Sequence, residues 1–148
     1  MSTAAMDEAV RGLRLLILAG ENYRQTAAQT LGLGITETQA LSYLAIHGDR
    51  GQNQLADDLG ITSSAATALV DRLERRGVAE RYAHPSDRRR TLVRLSDQGH
   101  AHVQRTHEWL ASALSTVGPD ELRPLTHAMV QVADELRAES IRALSARA

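Results

Sequence analysis

Apolar residues recur every three or four positions over most of the chain, and this spacing predicts helices. A long first helix is predicted over about 5–31. A second helix begins at Thr36, where Thr36-Glu37-Thr38-Gln39 fits a capping box. A short helix over about 52–59 and a longer one from Ser63 to Arg76 follow it.

The periodicity changes after Gly77 from helical to alternating. Val78–Ala83 and Thr91–Leu95 read as two strands, and the seven residues between them form the tip of a hairpin. From Ser96 onward the pattern is helical again, interrupted at Gly118-Pro119. The prediction is a mainly α protein with a small β-hairpin wing, in which helices at both ends flank a winged helix-turn-helix.

The terminal helices carry apolar seams with heptad-like spacing. These seams are wide enough to cover more than one neighbouring helix, which favours a homodimer over the alternative, a helical bundle within one chain. The residues predicted at the dimer interface are Val10, Leu13, Ile17, Leu110, Leu114, Leu125, Met129, Val132 and Leu136.

The helix over 62–76 has two different faces when it is drawn at 100° per residue. Its apolar face is predicted to pack on the short helix before it. The opposite face begins with small hydroxyl side chains, which allow close approach to base edges and hydrogen-bond to bases or phosphates. The DNA-binding candidates on this helix are Thr62, Ser63, Ser64, Thr67, Arg72 and Arg75, whereas Arg76 is expected to be an ordinary surface residue.

Charge is unevenly distributed, although the formal net charge is only -1 and all 17 basic residues are arginine. Residues 62–95 contain eight arginines and four acidic residues, which gives this stretch a net charge of +4. A local basic patch is typical of a protein that binds a polyanion, and a solvated surface without a partner is the alternative.

The predicted wing tip adds three candidates, Arg88, Arg89 and Arg90. An arginine on an extended hairpin can enter a minor groove, where narrow segments concentrate negative potential. Asp87 is predicted to hold the guanidinium of Arg89 in a bidentate pair. The alternative for Asp87 is a turn-forming role after Pro85.

Four motifs follow one another along the chain: Leu55-Ala56-Asp57-Asp58-Leu59-Gly60-Ile61, Leu69-Val70-Asp71-Arg72-Leu73-Glu74-Arg75-Arg76-Gly77-Val78, Asp87-Arg88-Arg89 and Val93-Arg94-Leu95-Ser96-Asp97-Gln98-Gly99. In this order they resemble the MarR family of bacterial transcriptional regulators. The most specific element is the wing signature, Asp87-x-Arg89 followed by Leu95-Ser96-x-x-Gly99. One departure is Arg50, which stands where an apolar residue is common.

The resemblance implies a single domain over 1–148, with a DNA-binding lobe over 36–95 and dimerisation helices over 5–31 and 96–146. It implies a homodimer on near-palindromic double-stranded DNA, with Ser63, Ser64 and Thr67 facing the major groove and Arg89 in the minor groove. It also implies a repressor that a small aromatic or anionic ligand releases from DNA. The candidates for contacting that effector are Tyr23, Tyr43, His47, His107 and Trp109, for each of which ordinary packing is the alternative.

Other functional classes find little support in the sequence. The chain has no cysteine, no nucleophile elbow and no phosphate-binding glycine loop, so we expect neither an enzyme nor a cofactor. His100 and His102 point apart on a helix, and His100 and His107 share a face without an evident third ligand, so we expect no metal site. No signal peptide or membrane span is recognised, and a cytoplasmic protein is expected. A winged-helix adaptor that binds protein instead of DNA is the competing function.

Overall fold

The computed structural model describes residues 3–146 and confirms the predicted fold class, a mainly helical winged helix-turn-helix. Its elements are α1 (Thr3–Leu31), α2 (Ile35–His47), β1 (Arg50–Gly51), α3 (Gln52–Leu59), α4 (Ser63–Arg75), β2 (Ala79–Ala83), β3 (Thr91–Leu95), α5 (Asp97–Leu114) and α6 (Pro119–Ser145).

The chain divides into two compact units, residues 1–107 and residues 108–148. The first unit contains the hydrophobic core, which α2, α3, α4 and the sheet enclose. Its buried members are Leu33, Ala40, Leu41, Leu44, Leu55, Leu69, Val70, Leu73, Val78, Ala79, Val93 and Leu95. Most of this core is aliphatic and lies directly beneath α4, so it holds that helix firmly in place.

The second unit contains α6, whose first turn follows Gly118. The Glu121 carboxylate accepts a hydrogen bond from the backbone N–H of Gly118 at 3.2 Å. Several large apolar side chains of this unit are exposed: Trp109, Leu110, Leu114, Leu122, Met129, Val130, Val132, Leu136, Ile141 and Leu144. Exposed apolar side chains in this number mark an interaction surface.

The sheet has three antiparallel strands in the order β1-β3-β2. The two wing strands were predicted almost to the residue, and the pair Arg81↔Val93 gives their register. The third strand, β1, was missed. It contains only two residues, paired as Arg50↔Val93 and Gly51↔Leu92, and a segment this short has no periodicity to detect.

The start of α2 corrects one local prediction. The helix begins at Ile35 with Gly34 as its N-cap. The Glu37 carboxylate accepts from the backbone N–H of Gly34 at 3.1 Å, and the Thr38 hydroxyl donates to the Gly34 carbonyl at 2.9 Å. The capping box predicted from Thr36 to Gln39 is therefore wrong by two residues, because glycine can adopt the extended cap conformation without offering a side chain.

The turn between α3 and α4 is made by Gly60, which has a φ of 64° and caps the end of α3 in the left-handed region. Glycine populates this region at no steric cost. Two residues later the Thr62 hydroxyl accepts from the backbone N–H of Ala65 at 3.2 Å and starts α4. This short turn fixes the angle between α3 and α4.

The start of α5 lies against the beginning of the wing. The Ser96 hydroxyl donates to the Gly77 carbonyl at 2.5 Å, and the Ser96 backbone N–H donates to the Val78 carbonyl at 3.2 Å. Gly99 is buried in this contact, and a Cβ atom there would lie 3.0 Å from the Val78 carbonyl carbon. Only a residue without a side chain allows the helix to approach the strand this closely.

Candidate nucleic-acid interface

Helix α4 has the two faces that its sequence predicts. Ala66, Leu69, Val70 and Leu73 have no exposed surface and join Leu55 in the core. The opposite face is exposed and polar. Burial of one face leaves the other free to contact a partner along the length of the helix.

Small polar groups are exposed at the N-terminus of α4. The Thr62 hydroxyl caps the helix and lies 3.3 Å from the Ser64 hydroxyl, so Thr62 has a structural role in addition to any contact with DNA. Ser63 and Ser64 are exposed in the first turn, where backbone N–H groups have no partner within the helix. Such N–H groups, together with the helix dipole, favour an anion at this end.

Four of the eight arginines between residues 62 and 95 are bonded within the protein. Arg72 pairs with the buried Glu37 at 3.1 Å, and Arg76 donates to the Gly32 carbonyl at 2.6 Å. Arg81 pairs with Asp71 at 2.7 Å. These arginines stabilise the frame of the lobe, and a count of charges along the sequence overstates the number available to a partner.

Arg94 is the fourth of these bonded arginines. It pairs with Glu80 at 2.7 Å and lies 4.7 Å above the Tyr82 ring. The Tyr82 hydroxyl donates to Asp49 at 2.5 Å, and this hydrogen bond raises the pKa of Tyr82 above its usual value. The network ties the wing strands to the loop that precedes β1.

The other four arginines form neither an ion pair nor a side-chain hydrogen bond with any residue in the range 3–146, and all four are exposed. Arg75 lies in the last turn of α4, and the rest lie at the wing tip: Arg88, Arg89 and Arg90. All four belong to the set predicted from the sequence, and they place unpaired positive charge at two separate points of the lobe.

The predicted ion pair at the wing tip is wrong. Asp87 Oδ1 accepts from the backbone N–H of Arg89 at 3.1 Å, and the Asp87 carbonyl accepts from the backbone N–H of Arg90 at 3.0 Å. Within the part of the chain that the structure describes, no ion pair joins Asp87 to Arg89. The alternative, a turn-forming role, is what the structure shows, since an aspartate two residues ahead of an N–H readily closes a turn.

A cluster around Thr67 contains a residue that sequence reasoning missed. Gln52, the first residue of α3, donates from Nε2 to the Thr67 hydroxyl at 2.8 Å and accepts at Oε1 from Arg81 Nε at 3.0 Å. Arg81 also donates to the Thr67 carbonyl at 3.0 Å. A polar residue at the start of a short helix gives no sequence signal for such a contact.

Arg50, the departure from the family pattern, is also accounted for. Its guanidinium forms a bidentate pair with Asp58, in which Nε donates to Oδ2 and Nη2 donates to Oδ1, each at 3.0 Å, and the Asp58 side chain is only 4% exposed. An arginine fork matches a carboxylate in this way. The charge at this position is therefore balanced by a carboxylate of α3.

The five candidates for an effector site lie on three helices, α1, α2 and α5. Tyr43 and His47 stack on α2 with ring centroids 6.0 Å apart. Tyr23 lines a separate depression of about 510 Å³ between α1 and α2, which it shares with Arg24 and residues of both helices. His107 ends the first unit, and Trp109 belongs to the second.

The residues predicted at a dimer interface are accessible in the isolated chain. Val10 and Ile17 on α1 are each 41% exposed, and Leu136 on α6 is 45% exposed. Leu13 and Leu125 are half-buried. Among residues 3–146, no three histidine or carboxylate side chains come together to hold a metal ion, and no helix there is long and apolar enough to cross a membrane.

The comparison with known sequences places this lobe in a family. The profile of the MarR family matches residues 31–90. The uncharacterised HTH-type transcriptional regulator YcgE of Bacillus subtilis is 38% identical over 71 residues, which are 48% of this chain and 46% of YcgE. The transcriptional repressor MprA of Escherichia coli is 28% identical over 120 residues, which are 73% of this chain and 68% of MprA.

Solved structures share the fold. A MarR family protein from Bacillus stearothermophilus matches with a TM-score of 0.70 and 20% identity, over 93% of this chain and 99% of that one. The winged helix-turn-helix, the wing signature and these similarities agree with one another. The chain belongs to the MarR family of transcriptional regulators.

Proposed function

We propose that this protein is a sequence-specific DNA-binding transcriptional regulator that represses a nearby promoter. The observation that carries the proposal is the set of four unpaired arginines, Arg75 and Arg88–Arg90, at the end of α4 and at the wing tip. Unpaired guanidinium groups favour phosphate contacts. The polar face of α4 lies within the same lobe and offers groups that can contact bases.

In this proposal α4 enters the major groove. The free N–H groups of Ser63 and Ser64 bind a phosphate at one end of the helix, and Arg75 binds one at the other. Thr67 lies one turn further along the exposed face and contacts a base edge. Arg89 enters the minor groove, while Arg88 and Arg90 contact the phosphates beside it.

The protein acts as a homodimer in this proposal. Apolar residues at the dimer candidates on α1 and α6 are exposed in the isolated chain, and a second copy of the chain would cover them. Two lobes related by a two-fold axis bind two half-sites of a near-palindromic duplex, about one helical turn apart. Such a regulator works in the cytoplasm, where bacterial DNA lies.

Repression and release by a ligand are the finer parts of the proposal. The relative MprA is a transcriptional repressor, which supports the first. The depression beside Tyr23 supports the second, because an aromatic face suits a small aromatic ligand, while Arg24 and Glu21 offer it groups of both charges. A ligand that binds only the DNA-free form would shift the population away from DNA.

The test is an anisotropy titration of the protein against a labelled duplex from the region upstream of its gene, at several salt concentrations. Arg75, Arg88 and Arg90 of both copies contact six phosphates in this proposal, so the logarithm of affinity is expected to fall with the logarithm of salt with a slope of roughly -5. Arg75→Ala is expected to reduce that slope by about 2 per dimer.

Arg76→Ala is the matched control, because the neighbouring Arg76 is already bonded to the Gly32 carbonyl. It is expected to leave the salt slope unchanged. Equal slopes for Arg75→Ala and the unmodified protein would contradict the assigned phosphate contacts. If neither this duplex nor any member of a randomised pool binds, the protein-binding adaptor replaces the proposal.

A further inference from the structure

The amide of Gln52 can take only one orientation. Arg81 Nε is a donor and lies 3.0 Å from one end of the amide, so that end must be the oxygen. The other end is therefore the nitrogen, which lies 2.8 Å from the Thr67 hydroxyl oxygen. Since the amide nitrogen can only donate, Thr67 must accept this hydrogen bond.

The single hydroxyl proton of Thr67 is also committed. The hydroxyl donates to the Ser63 carbonyl, one helical turn earlier, at 3.0 Å. A threonine hydroxyl has one proton and two acceptor lone pairs. After the bonds to Ser63 and Gln52, one lone pair is left to meet a base, and Thr67 offers an acceptor only.

We infer that Gln52 is a specificity-determining residue, which makes α4 prefer a base with an exocyclic amine, adenine or cytosine, at the position that Thr67 contacts. This inference rests on the proposed function, because it concerns the same helix in the major groove. Adenine and cytosine present an amine donor there, whereas guanine and thymine present a carbonyl oxygen. An acceptor-only hydroxyl bonds to the first pair and repels the second.

Gln52 is needed because it holds the Thr67 rotamer. Threonine in a helix divides between two rotamers, and the hydrogen bond from Gln52 favours the rotamer that Thr67 adopts. Turning the proton toward a base would leave the Thr67 and Ser63 oxygens 3.0 Å apart without a proton between them. Rotation of the side chain would relieve that repulsion, but it would also break the bond to Gln52.

The test is selection of bound duplexes from a randomised library by the unmodified protein, Gln52→Ala and Thr67→Val. Valine keeps the shape of threonine and removes the hydroxyl, so the two variants probe one contact from its two sides. Asn53→Ala is the control, because Asn53 is the exposed neighbour of Gln52 and makes no side-chain hydrogen bond among the described residues. Circular dichroism checks that each variant is folded.

The unmodified protein is expected to enrich adenine or cytosine over guanine or thymine about fivefold at one position of each half-site, the value of one hydrogen bond. Both variants are expected to lose this enrichment at that position alone, and Asn53→Ala to keep it. A preference for guanine or thymine at the position that Thr67→Val alters overturns the inference, and so does an unchanged preference in Gln52→Ala. Both outcomes leave the proposed DNA binding intact. If the unmodified protein selects no sequence, the proposed sequence-specific DNA binding is wrong, and the inference that rests on it is wrong as well.

Discussion

Gly99 provides a quantitative test of the packing between α5 and the wing. The substitution is Gly99→Ala. The added Cβ would overlap the Val78 carbonyl oxygen and lie 3.2 Å from Leu95 Cδ2. The backbone carbonyl cannot turn aside as a flexible side chain can, so the first turn of α5 must move away from the strand.

The cost follows from the contacts involved. Overpacking of a tight contact costs about 1–3 kcal/mol. Separation also breaks the bond from the Ser96 N–H to the Val78 carbonyl, at about 1 kcal/mol. Alanine regains about 1 kcal/mol over glycine in a helix. The net loss in the free energy of unfolding is roughly 2 kcal/mol, which corresponds to a fall in Tm of about 4–8 °C.

The assay is thermal and urea unfolding at a fixed protein concentration, since association changes apparent stability. Gly12→Ala is the matched control, because no heavy atom lies within 4 Å of its added Cβ in the isolated chain. That variant is expected to gain about 0.5–1 kcal/mol. A Gly99→Ala protein as stable as the unmodified chain would refute the packing argument.

Three further predictions concern DNA binding, assembly and pH. Arg89→Ala is expected to weaken binding in the anisotropy titration by roughly 1–3 kcal/mol, and no change in a folded variant would exclude wing insertion. Leu136→Arg is expected to convert a dimer to monomers, and an intact dimer by light scattering would remove Leu136 from the interface. Burial, with a smaller effect of Arg105, lowers the pKa of His102 below 6.5 in the folded state. As the pH falls, the unfolded state therefore binds this proton before the folded state does. The free energy of unfolding is expected to decrease as the pH drops below about 6.5. His102→Gln is expected to reduce this fall, and an identical pH profile in urea unfolding would contradict it.

Long periodic segments made most of the fold predictable. The buried face of α4 could be assigned residue by residue because its packing repeats with the helical period. The start of α2 could not be assigned in this way. Gly34 caps the helix through its backbone conformation alone, whereas Thr36 has the hydroxyl side chain that is typical of an N-cap. Strand β1 was hidden for a related reason, since two residues form it only where β3 is already present.

The candidate site was predictable as a set of residue types and less so as a set of interactions. Arg72 and Arg75 look alike in the sequence, but Glu37, 35 residues away along the chain, bonds only the first. Asp87 closes a turn instead of holding Arg89. Gln52 joins Thr67 and Arg81 across three elements, and contacts over such sequence distances depend on the assembled tertiary structure.

The central position of β3 has a consequence for how the DNA-binding lobe can diversify. Because β3 is hydrogen-bonded to β1 on one side and β2 on the other, a shift of its register would break two ladders at once. The base of the wing therefore tolerates no insertion or deletion, whereas residues 84–90 connect its strands without taking part in either ladder. Related proteins or engineered variants can thus lengthen or shorten this tip, and so alter its reach along a duplex, while α4 keeps its place.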